Sequence, residues 1–263
     1  MIRKDPSLRA CRKLVALLSL LLATAASAEE IHVATSGAFT AAYLQLAPRF
    51  EQATHNKVVT AFGASMGNTP TAIPNRLARG EAFDVVIMAA PALDKLIQDG
   101  KVDAGSKVDL VRSSIGMVVR AGASKPDIST VEALKRTLLA AKSIAYSDSA
   151  SGVYLVKELF PRLGIADQIA AKSKVIAGTA VAEEVAAGRA DIGFQQVSEL
   201  LPVEGVDLVG KLPAEAQRVT LFSAGIVTGA QHPDAARALI RFLTSPEAAP
   251  VIEKTGLEPV GGE

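Results

Sequence analysis

Four short stretches of this 263-residue chain gather small hydroxyl residues and glycine with no lysine or arginine among them. They are ATSGAF with Thr35, Ser36 and Gly37; FGASMGNTP with Gly63, Ser65, Met66, Gly67, Asn68 and Thr69; SDSASGVY with Ser147, Asp148, Ser149, Ser151 and Gly152; and AGTAVAEE with Gly178 and Thr179. Each stands where an apolar, strand-like run gives way to a helical pattern. The first backbone N–H groups of a helix have no partner within the helix, and the positive end of the helix dipole lies beside them. Hydroxyls and free N–H groups together are donors for an anion. A nucleotide-phosphate loop of the GxxxxGK[ST] kind is a poor match, because no lysine stands between Ile144 and Tyr154. Each serine alone also reads as a helix N-cap, worth about 1 kcal/mol. The four junctions taken together favour one small, acceptor-rich ligand held by neutral donors.

Proton-transfer chemistry has fewer candidates. Asp148 is the one carboxylate inside these loops, and it reads either as a turn residue or as a base. Gln195 and Gln196 in GFQQ could donate amide hydrogen bonds to the planar oxygens of a carboxylate. His32, His55 and His232 all lie outside the loops, no G-x-S-x-G elbow occurs, and no histidine and carboxylate spacing suits a metal. Neither a metal nor an organic cofactor is expected. Trp is absent, which argues against a sugar cleft built on stacked indoles.

The elements that would carry these loops alternate along the chain. IHVAT reads as a strand, and Phe39, Tyr43, Leu46 and Phe50 recur at helical spacing after it. KVVTAFG, FDVVIMAA, SIAYS, KVIAG and ADIGFQQ read as further strands with helical patterns between them, which predicts an α/β fold with largely parallel sheets. Two longer β-rich runs break the alternation, VDLVRSSIGMVVRAG and RVTLFSAGIVTGA. A chain that leaves one α/β lobe, builds a second and returns crosses twice, and these runs are the expected crossings. Residues 29–110 with 219–263 would then form the first lobe, and 111–218 the second, with a ligand cleft between them. Two ordered crossing strands would favour hinge closure. In open α/β sheets ligands bind at the carboxyl ends of the strands, where all four loops fall.

The N-terminus carries Arg3, Lys4, Arg9, Arg12 and Lys13, then LVALLSLLL, then ATAASA ending at Ala28. This is the pattern of a cleaved export signal over residues 1–28, too short in its apolar run to span a bilayer. The sole cysteine, Cys11, precedes the apolar run, so a lipid anchor is disfavoured and the mature chain has no thiol. Cleavage leaves 23 basic against 26 acidic residues, a balance that gives nucleic acid no basic face. A periplasmic, monomeric protein is expected.

The first loop ATSGAF, the GASMG junction, the RLARGEAFDVVIMA block, the ASGVY loop, GRADIGFQQVSEL and the terminal SPEAAPVIEKTG together resemble the periplasmic molybdate-binding-protein family of ABC-importer receptors. The resemblance spans essentially the whole mature chain. It implies a two-lobe periplasmic binding protein fold, two crossing hinge strands, and an oxyanion held by hydroxyls and backbone N–H groups. On that likeness the ligand contacts fall on Ser36 and Gly37, on Ser65, Met66 and Gly67, on Ser149, Ser151 and Gly152, and near Thr179. The family's binding tyrosine falls on Gln196, and Met66, Gly67 and Asn68 with Pro70 and Pro74 replace the usual serine-rich second loop. These departures point away from molybdate itself and leave a carboxylate or a molybdate-like oxyanion as the expected ligand. The leading expectation is a receptor delivering a small anion to an ABC importer. The alternative is an isomerase of trans- and cis-aconitate, since a bacterial aconitate isomerase is similar to this same scaffold and works by allylic proton transfer.

Overall fold

The computed structural model describes residues 28–178 and 180–260; residues 1–27, Thr179 and the last three residues lie outside them. Among the described residues no helix is long and apolar enough to cross a membrane.

Two sheets organise the chain. The first contains β1 (Glu30–Thr35), β2 (Lys57–Phe62), β3 (Val85–Ala89), β4 (Val108–Ser113), β10 (Thr220–Ile226) and β11 (Glu258–Pro259), in the order β11-β4-β10-β3-β1-β2. The second contains β5 (Ile115–Arg120), β6 (Ile144–Ser147), β7 (Ser173–Ile176), β8 (Ile192–Gln196) and β9 (Val206–Lys211), in the order β7-β6-β8-β5-β9. The helices are α1 (Gly37–Thr54), α2 (Ile73–Ala78), α3 (Ala90–Gln98), α4 (Val131–Ala140), α5 (Ala150–Tyr154), α6 (Ala166–Ala170), α7 (Val181–Ala186), α8 (Val197–Leu200), α9 (Pro233–Leu243) and α10 (Ala249–Lys254). A π-helical turn, Leu155–Leu159, and Phe160–Arg162 extend α5.

The sheets are mixed, not largely parallel. β1 runs parallel to β2 and β3, and β6 parallel to β7 and β8. The strands at the crossings, β4, β5 and β10, all pair antiparallel to their neighbours. The reason is topological. A strand reached through a helix on the sheet face returns parallel, whereas β5 and β10 arrive from the other lobe and enter from the opposite end, and β4 is antiparallel because it pairs with β10. The first long run is likewise two strands: Ser114 separates β4 in one sheet from β5 in the other.

Alternation along β3 explains why the first sheet is covered on both sides. Val85, Ile87 and Ala89 face a core with Phe39, Tyr43, Leu46 and Phe50 of α1 and Leu239, Ile240 and Leu243 of α9. Val86 and Met88 face Ile73 and Leu77 of α2 and Leu93 and Leu96 of α3. The second sheet repeats the plan, with Ile115, Met117 and Val119 against Leu134, Leu155 and Leu159, and Val118 against Val181 and Val185. Each fully buried side chain of this size contributes about 1.5 to 3 kcal/mol, so the strands that aim the loops are the rigid part of the molecule.

Beyond the pairing of β4 with β10, one side chain also ties the two crossing segments together. Gln217 accepts from the Ile115 N–H at 2.8 Å and donates to the Ile115 carbonyl at 2.9 Å, as a neighbouring strand would. Local capping supports the second lobe: the Thr130 hydroxyl accepts from the Ala133 N–H at 3.1 Å at the start of α4. Thr130→Ala is expected to lower the unfolding free energy by about 1 kcal/mol in urea titrations, with no effect on ligand binding.

Candidate functional site

The carboxyl ends of β1, β2, β6 and β8 open onto one cleft of about 490 Å³. Its wall takes Ser36 and Gly37 from the start of α1, Ser65 from the loop after β2, and Ser147 to Ser151 from the loop after β6. The end of β8 and the start of α8 add Gln195, Gln196, Ser198 and Glu199. Both lobes therefore contribute to one space.

The hydroxyls are not engaged as caps. Ser36 precedes α1 in extended backbone, as an N-cap does, yet its side chain makes no capping bond and its buried Oγ has no partner. Ser149 before α5 likewise makes none. The Ser198 Oγ is buried and unpartnered as well. The Ser65 Oγ accepts from the Ala89 N–H at 2.9 Å, which fixes the oxygen and leaves its proton for a second bond. Ser147 and Ser151 share one hydrogen bond of 3.1 Å. Buried hydroxyls left open cost free energy, about 1 to 3 kcal/mol each, which a ligand acceptor would relieve.

Of the residues singled out in the sequence, Ser36, Gly37, Ser65, Ser149, Ser151 and Gln196 line the cleft. Met66, Gly67 and Gly152 are not among the lining residues. At Gly152 a Cβ would lie 1.6 Å from the Ser147 carbonyl oxygen, so the close approach of α5 to β6 itself requires glycine. Gly67 has φ 108°, and the Asp148 Oδ2 lies 2.7 Å from where its Cβ would be, so the second-lobe loop touches the first lobe here. Thr179 lies outside the described residues. Gln196 donates to the Thr220 Oγ1 at 3.3 Å, and its Oε1 is unpartnered. Arg76 is not in the cleft lining and pairs with Glu81 at 2.7 Å.

Ser198 and Glu199 were not anticipated. For Ser198 a signal was available, because GFQQ followed by VSEL is a fifth strand-to-helix junction with a hydroxyl residue and no lysine or arginine. Glu199 is partly buried in the cleft wall. Gln195 holds it: the Gln195 Oε1 accepts from the Val181 N–H at 2.9 Å, and its Nε2 donates to the Glu199 Oε1 at 2.9 Å. Burial pushes the Glu199 carboxyl up to about 7, against the Gln195 amide and the Gln196 backbone N–H, which favour the charged form. Burial also raises Asp148, opposed by its own backbone N–H. These two are the only ionisable side chains among the described residues lining the cleft. Among the described residues no cluster of three His, Cys, Asp or Glu side chains is placed to hold a metal ion.

The sequence profile described as bacterial extracellular solute-binding protein matches residues 31–258. The chain belongs to this family. It is 49% identical over 251 residues to an aconitate isomerase from Pseudomonas sp, covering 94% of this chain and 96% of that protein. It is 30% identical over 254 residues to the molybdate-binding protein ModA of Azotobacter vinelandii, covering 93% and 96%. Among solved structures, the periplasmic molybdate-binding protein of Azotobacter vinelandii superposes with TM-score 0.69 at 21% identity, covering 89% of this chain and all of that one. The sulfate-binding protein SubI of Mycobacterium tuberculosis H37Rv gives 0.70 at 21% identity, covering 88% and 87%. These structural likenesses establish the two-lobe fold. In this solute-binding protein, Ser36→Ala is expected to weaken anion binding by about 1 to 2 kcal/mol by calorimetry, since a buried acceptor then loses its donor. Unchanged affinity would remove Ser36 from the site.

Proposed function

We propose that the protein is a periplasmic isomerase of aconitate that uses a solute-binding cleft to hold the tricarboxylate while a proton moves. The observation that carries this reading is the company the donors keep. Open hydroxyls suited to anionic oxygens share one cleft with two carboxyl groups, and no Lys or Arg is among the lining residues. Charged carboxyl groups repel any bound anion, a tricarboxylate included, so a site built only to hold one has little use for them. A catalyst of proton transfer needs such a group within reach of carbon. The 49% identity to an aconitate isomerase, over nearly the full length of both chains, supports the same reading.

The reaction balances without a cofactor. A base takes a proton from the methylene carbon of trans-aconitate, and the C–H electron pair becomes a new double bond to the central carbon. The old π pair takes a proton at the former vinyl carbon, and the double bond has moved by one position. Charge that builds on the substrate carboxylates in between would be met by the hydroxyls of Ser36, Ser65 and Ser198. A second reading, a receptor passing a small anion to an ABC importer, is favoured by the neutral donor set itself and by the 30% identity to a molybdate-binding protein.

Proton NMR separates the two. With catalytic protein and excess trans-aconitate, the vinyl signal of the cis isomer is expected to grow with time and in proportion to enzyme. A spectrum that stays fixed, with at most one equivalent of ligand bound, would leave the receptor reading in place.

A further inference from the structure

We infer that Glu199 is the catalytic residue that carries the proton between the two carbons of aconitate, and that Gln195 is its positioning residue. This rests on the isomerase reading and adds to it the identity of the group that does the chemistry.

Geometry separates Glu199 from Asp148. The Gln195 amide cannot turn over freely, because its Oε1 is taken by the Val181 N–H at the start of α7. Its Nε2 therefore points at the Glu199 Oε1, and one carboxyl oxygen is pinned at 2.9 Å. Opposite, the start of α1 leaves room for that oxygen only because position 37 is glycine: a Cβ there would lie 2.0 Å from the Glu199 Oε1. The carboxyl is thus wedged between the lobes, beside the open Oγ of Ser36 and Ser198 in the same cleft wall. Asp148 instead lies against Gly67, and its carboxyl is met by its own backbone N–H. A proton carrier must hold one position for both transfers, and of the two only Glu199 is anchored by another side chain. Burial that brings the carboxyl near neutrality lets it take a proton from carbon and give it back at the working pH.

In the first step the Glu199 carboxylate accepts the methylene proton and becomes the neutral acid. In the second that same acid returns a proton to the former vinyl carbon, and the carboxylate is regenerated. No net redox change or external donor is needed.

The test compares wild type, Glu199→Gln, Glu199→Asp and Gln195→Ala with trans-aconitate in D2O, reading cis-isomer formation and deuterium incorporation by NMR and binding by calorimetry. Glu199→Gln is expected to keep affinity within about tenfold while turnover, and with it any deuterium taken up from solvent, falls at least about 1,000-fold. Glu199→Asp should recover part of that loss. Gln195→Ala should lower kcat about 10- to 100-fold with KM little changed, which a merely structural role would not do. If wild type turns over and Glu199→Gln does so equally, or if Asp148→Asn alone abolishes exchange, the assignment is overturned while the isomerase reading stands. If wild type forms no cis isomer and incorporates no deuterium, both fall together.

Discussion

At pH 8 the ligand-free Glu199→Gln variant is expected to unfold with a free energy about 2 to 3 kcal/mol higher than wild type, and near pH 4 the difference should vanish. The carboxyl is raised from 4.5 to about 7, chiefly by burial. A folded-state value above the unfolded one means that the folded protein binds the proton more tightly. Stability from this group is therefore complete below about pH 4.5, declines as pH rises, and is fully lost above about 7. That shift corresponds to about 3 kcal/mol at 1.36 kcal/mol per pH unit. Partial access to cleft water reduces the figure, and the start of α1 nearby favours the charged form by about 0.3 to 1 kcal/mol. Glutamine keeps the shape and can still accept from the Gln195 amide, but it has no charge to desolvate. Urea titrations of both proteins at pH 4.5, 6 and 8 measure the effect. Parallel stabilities at all three would mean that the carboxyl is well solvated in the empty cleft. The expected pattern would mean instead that a group unfavourable to the resting protein is kept for its chemistry, as active sites often do.

Period and punctuation made much of this fold readable from sequence. The apolar spacing through Phe39, Tyr43, Leu46 and Phe50 leaves α1 little alternative to packing on β1 and β3, and the structure buries all four there. What periodicity cannot report is which strand joins which sheet. VDLVRSSIGMVVRAG looks continuous because β4 and β5 are both apolar, and only the tertiary path divides them at Ser114. The same limit hid the antiparallel half of each sheet. At the site, the loop serines were visible because small hydroxyl residues before a helix are a local pattern. Glu199 was not, because α8 has only four residues and gives no helical period, and a glutamate on a short helix ordinarily faces water. Its meaning depends on Gly37, 162 positions away in the sequence and brought against it only by the meeting of the lobes.

That contact yields the sharpest test of how the site is assembled. Gly37→Ala is expected to keep the fold and lower kcat for trans-aconitate about 100-fold. Gly37 has no positive φ, so alanine fits the backbone, and at the start of an 18-residue helix it should hold or slightly raise stability. The obstacle is the Glu199 Oε1, 2.0 Å from the new methyl group, and the far end of a side chain can move where backbone cannot. A shift of about 1 Å in a reacting group is enough for a 100-fold loss when rate depends on alignment. Melting curves and steady-state kinetics on the single variant give the first reading. The double variant gives the second: with Glu199→Gln already present, Gly37→Ala should change turnover little further, because the two substitutions disable one contact. Independent, multiplicative losses would assign Gly37 a separate role in holding the substrate at the start of α1. Non-additive losses would place the reacting carboxyl in the space that this glycine leaves open, so that closing the lobes and positioning the base are one event.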